Sequence, residues 1–124
     1  MDNYRRFKTD ADPFGRVWDV EFRWQQNGIS IRHADTVDVK FNVWTVDEPK
    51  QERIVAINHP DLLKLSAETE LPLTDALCLK VGALHLKHMI ETDEDMEKTL
   101  VTIPYPDLRR YIEMVNNVAA AARD

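Results

Sequence analysis

Little in this 124-residue chain could be cross-linked, cradle a phosphate or cross a membrane. Its single cysteine, Cys78, excludes an internal disulfide and fits a reducing compartment. The three glycines, Gly15, Gly28 and Gly82, stand too far apart for a glycine-rich phosphate loop. Serine elbows, the His-Glu-x-x-His zinc signature and paired cysteines are all missing. No apolar run approaches the roughly 18 residues of a membrane span, and no charged-then-apolar leader opens the chain, so a cytoplasmic location without membrane contact is expected.

Positive charge is also scarce. Sixteen Lys and Arg face 22 Asp and Glu, a formal net charge of −6, whereas a general nucleic-acid binder needs clustered cations to neutralise phosphates. Tyr4, Arg5, Arg6, Phe7 and Lys8 do interleave aromatic and basic residues as a single-strand binder would. Five residues at a terminus read more simply as part of a loosely docked arm, here residues 1–15. The length suits one domain, residues 1–124, that buries about two thirds of its unfolded surface and needs no disulfide or metal staple.

What the chain does have is a two-residue beat. Trp18, Val20, Phe22 and Trp24 alternate with Asp19, Glu21, Arg23 and Gln25, the pattern of a strand with one face in water. Asn27-Gly28 follows, the strongest short hairpin signal because both residues tolerate the positive φ of a type I′ turn. Such a turn sets Trp24 opposite Ile31 and Phe22 opposite His33, with Ile29 and Ile31 on the buried face and Arg23 opposite Arg32. After a turn at Ala34-Asp35-Thr36, Val37, Val39, Phe41 and Val43 form a third strand. Residues 53–57 form a fourth, behind a turn at 47–50, and 99–103 a fifth.

Helical signals fill the second half. Asn58-His59-Pro60-Asp61 reads as a helix start, with Pro60 where its missing donor costs nothing. Thr74 caps a second helix from about residue 75 to 91, whose polar stripe is only Lys80, Lys87 and Glu91, so it should be central. Thr92-x-x-Asp95 resembles a capping box that starts a short helical turn. Tyr105-Pro106-Asp107 opens a last helix with Leu108, Tyr111, Ile112, Val115 and Val118 on one face.

His85 and His88 lie three apart inside the apolar arc of the second helix and could present two imidazoles to one ion. A metal site needs three or four ligands, and only Cys78, His33 and His59 remain as thiol or imidazole donors, so structural histidines are expected and no metal or cofactor. Cys78, flanked by Leu77 and Leu79, reads as a small hydrophobe rather than a nucleophile. Asp93, Asp95 and Glu97 alternate like calcium ligands but lack the glycine and the bidentate Glu of a calcium loop.

These patterns predict an α+β fold: an antiparallel sheet of four or five strands beginning as a meander, with one face covered by about three helices. Trp44 and Val46, with Val17 from the first strand, point to the other face and mark a contact surface, unless the arm covers them with Phe7, Pro13 and Phe14. The functional expectation is a non-catalytic binding or regulatory module that meets a protein partner, most simply a second copy of itself. The alternative is a small enzyme or ligand-binding protein with a pocket between sheet and helices lined by Trp18, His33, His85 and His88. A third reading, an inhibitor that offers its acidic surface to a basic partner, is permitted by the charge alone.

Overall fold

The computed structural model describes residues 3–28 and 35–123. Five strands, β1 (Arg6–Lys8), β2 (Asp19–Gly28), β3 (Thr36–Thr45), β4 (Glu48–Asn58) and β5 (Leu100–Thr102), make one sheet in the order β1-β2-β3-β4-β5. The first four pair antiparallel. Two helices, α1 (His59–Thr69) and α2 (Asp75–Thr92), carry the chain over before β5, and α3 (Tyr105–Arg123) follows it. That long crossover lets β5 run parallel to β4, the one parallel pair in a sheet that is mainly antiparallel, as expected. The fold is α+β with an N-terminal meander.

The helices form where their caps are. Asn58 is extended and its side-chain oxygen accepts from the Asp61 N–H at 3.1 Å. Thr74 does the same for the Leu77 N–H at 3.1 Å, so both helix starts satisfy an otherwise orphaned donor. The helical turn expected from Thr92 is not made. Thr92 instead ends α2, its hydroxyl donating to the His88 carbonyl, and Asp93 closes the helix in the left-handed region at φ 56°.

The core lies between β3 and β4 on one side and the three helices on the other. Helix α2 lies across β3 and β4, α1 against β4, and α3 against both other helices. Val37, Val39, Phe41 and Val43 point inward from β3 and are buried, as are Val55 and Ile57 of β4. Gly82 permits the close approach of α2: a Cβ there would stand 3.2 Å from the Val39 Cβ. Arg53 also faces inward, donating to the carbonyls of Glu52 (2.7 Å) and Met96 (2.6 Å) and to Gln51 (2.7 Å), which ties the crossover to the sheet.

The hairpin register differs from the expected one. Asn27 and Gly28 are not a turn; they continue β2 and pair with Val37 and Thr36 of β3. Phe22 therefore faces Phe41, not His33, and Trp24 faces Lys40, not Ile31. Ile29, Ile31, Arg32 and His33, expected to form a separate strand, lie outside the described residues. The pairing also slips by one between Phe22 and Trp24, so Arg23 is the extra residue of a β-bulge. Residues directly opposite share a face, so the slip sends Trp24 to the outer face with Lys40 and brings Gln25 inward beside Val39. Trp24 is 37% exposed instead of buried, and the Lys40 Nζ stands 5.4 Å from its ring centroid.

Candidate functional site

Sequence singled out two groups of residues, and the fold separates them. His85 and His88 sit together on α2, ring centroids 6.3 Å apart. His85 is buried, and its Nδ1 shares a 2.9 Å hydrogen bond with the Tyr111 hydroxyl of α3. Burial lowers the His85 pKa, with Asp107 opposing, and burial pushes the Tyr111 hydroxyl up to about 12. Both groups are neutral at neutral pH, so their bond is a helix-to-helix tie. His88 is half-buried and reaches Glu94 at 3.3 Å.

Trp18 is held elsewhere. Its indole N–H donates to Asp12 at 2.9 Å, and that carboxylate also accepts from the backbone N–H groups of Phe14 and Arg16 and from the Arg16 guanidinium. Burial raises the Asp12 pKa, but these four bonds outweigh it and hold the carboxyl down at about 2. Among the described residues no hydrogen bond or ring contact joins Trp18 to His85 or His88. His33 lies outside the described residues.

Among the described residues no group of three His, Cys, Asp or Glu side chains is placed to hold an ion. Cys78 is buried, and burial, reinforced by Asp75, pushes its thiol up to about 11, leaving almost no thiolate at neutral pH.

Val17, Trp44 and Val46 gather at the β3–β4 turn end of the outer sheet face. Trp44 is half-buried between two cations, the Arg6 guanidinium 5.7 Å and the Lys50 Nζ 4.7 Å from its ring centroid. The Thr45 hydroxyl donates to the Val17 carbonyl at 2.7 Å, fixing Val17 beside the turn. Val17 is 47% and Val46 88% exposed. The arm reaches Trp44 only through Arg6 and leaves both valines exposed: Phe7 is buried opposite Val20 in β1, while Phe14 is exposed beneath Arg16. Comparison with protein-family models, curated proteins and solved structures finds no match.

Sequence reading missed one further concavity. A cleft of about 560 Å³ separates the far half of β2 and residues 3–5 from the start of α2. No residue pattern announces it, because its lining comes from three separate segments of the chain. The Tyr4-Arg5 pair, read as part of an arm, forms part of its wall.

No helix of the described residues is long and apolar enough to cross a membrane.

Proposed function

We propose that this protein is a small non-catalytic binding module that self-associates through the outer sheet face at its Val17, Trp44 and Val46 end. The single observation that carries the reading is exposure on the side of the sheet away from the helices: α2 and α1 lie against β3 and β4 from the inner face, while Val17 and Val46 stay exposed beside Trp44. A half-buried tryptophan beside two exposed valines is an apolar centre, and aromatic residues are enriched at the centres of interfaces.

The surrounding charges suit a second copy. Outer-face residues carry both signs side by side, with Lys8 against Asp19 (3.0 Å), Arg6 near Glu21 (3.6 Å) and Lys40 against Glu52 (2.7 Å). A two-fold contact needs a surface complementary to itself, which mixed charge supplies and a single-sign patch does not. The enzyme reading has less behind it, since the Tyr111 hydroxyl already occupies the buried His85 nitrogen.

Native mass spectrometry of the wild type and of Val46→Asp tests the proposal. A dimer that becomes monomeric in the variant supports it. The variant should fold normally because Val46 is almost fully exposed. A wild-type monomer at micromolar concentration sinks it.

A further inference from the structure

The alternation of β2 prepares Trp24 for the core, yet the bulge at Arg23 turns it outward and sets Gln25 in its place. Trp24, now 37% exposed, and Gln25 both border the space between β2 and the first turns of α2. That space is the cleft of about 560 Å³, within the roughly 300 to 1,000 Å³ typical of small-molecule sites. Bulges recur beside functional sites because they re-aim side chains in this way.

The walls have a definite chemistry. Phe22 and Leu79 line the cleft, with Tyr4 beside them. Phe22 is fixed from behind by Phe41, edge to face at 6.1 Å between ring centroids, and the Arg5 guanidinium stands 5.4 Å from the Phe22 centroid. Three cations, Arg5, Arg23 and Lys80, line the cleft against one acid, Asp75. Asp75 lies in the first turn of α2, where the positive end of the helix offsets its charge. Arg23 approaches Glu21 only at 3.7 Å, and among the described residues Arg5 and Lys80 make no ion pair. On a chain of net charge −6 this is a local reversal of sign, and a concave wall of one sign focuses its field into the cleft.

We propose that the cleft binds a small organic anion, a planar ring bearing a carboxylate or a phosphate. The ring lies against Phe22, Tyr4 and Leu79, and Arg5, Arg23 and Lys80 take the oxyanion, with Gln25 available as a neutral hydrogen-bond partner. The site is at the other end of β2 from the Trp44 surface, so it stands or falls independently of self-association.

Calorimetric titration of the full chain with indole-3-acetate and with adenosine monophosphate tests the proposal, alongside amide chemical-shift mapping. The expected result is saturable 1:1 binding of one or both probes, with shifts confined to residues 3–5, 22–25 and 75–80. The tighter probe tells whether a carboxylate or a phosphate is preferred. Lys80→Ala and Arg5→Ala should each weaken binding about tenfold or more without moving the melting temperature, as expected when a charged hydrogen-bond partner is lost from an exposed wall. Failure of both probes to bind at millimolar concentration overturns the proposal. So does binding that both variants leave unchanged, or shifts that fall elsewhere on the chain. Tight binding of an acidic peptide where both small anions fail would instead assign the wall to a macromolecule and also overturn it.

Discussion

From Asp19 to Phe22, strand β2 turns its even residues toward the helices; beyond Arg23 it turns the odd residue Gln25 inward and the even residue Trp24 out. The amino-acid beat itself runs on through the bulge from Val20 and Phe22 to Trp24. Strand β3, its partner, shows no such reversal between Val37 and Val43 and keeps its inner residues buried throughout that stretch. Alternation therefore reports a face only while the register holds, and one extra residue inverts every later side chain. The sealed half is the stable frame, and the inverted half borders the cleft.

The largest test of that contrast compares two aromatic residues that sequence treats alike. Phe41→Ala should cost about 3 to 5 kcal/mol, because Phe41 is fully buried and the cavity left cannot collapse between β2, β4 and α2. Trp24→Ala should cost about 1 kcal/mol or less, since the ring keeps over a third of its surface in water. Urea unfolding of both variants measures the difference. Equal losses would mean that Trp24 is a core residue and that the bulge is wrong.

Gly82→Ala probes how tightly the sealed half is closed. Alanine would favour the helix by about 1 kcal/mol at an ordinary position. Here its Cβ would meet the Val39 Cβ at 3.2 Å and Cγ2 at 3.3 Å, on a buried β-branched residue of a central strand. The expected net effect is a loss of about 1 kcal/mol from overpacking. In a Val39→Ala background the same change should become stabilising, which a double-mutant cycle reads directly.

Acid should weaken the frame in two separate windows. The folded His85 has a pKa below its ordinary 6.5, so the unfolded state takes the proton first, and its stabilisation is complete above 6.5 and declines as pH falls below it. The folded Asp12, at about 2 against 3.8, likewise leaves the unfolded state to bind the proton first, and its contribution is lost between those two values. Urea midpoints measured across pH should show His85→Gln abolishing the upper decline and Asp12→Asn the lower. A single unbroken decline in both variants would show that neither group titrates as the fold requires.

Much of the architecture was legible because its signals are local. Asn58 with Pro60 and Thr74 start α1 and α2 where a side chain can reach a free N–H, a property of a few consecutive residues. The inward set of β3 was readable because no bulge intervenes between Val37 and Val43. Asn27-Gly28 misled for a physical reason: both residues tolerate a turn but do not compel one, and pairing β2 with β3 over its full length outweighs a local preference. The outward set of Trp44 was legible from the alternation of β3. The cleft was not, since Arg5, Arg23 and Lys80 come from three separate segments and carry no common spacing.

By itself the sequence determined the class, one cysteine and hence no internal disulfide, an α+β fold with capped helices and a one-sided β3, because caps, periodicity and composition act over a few residues at a time. The tertiary structure alone decided the register of β2, the bulge at Arg23, the exposure of Trp24 and the cations around the cleft. Each of these depends on which distant strand or helix lies opposite, and that choice is made by burying β3 and β4 under α2 rather than by any residue's own preference.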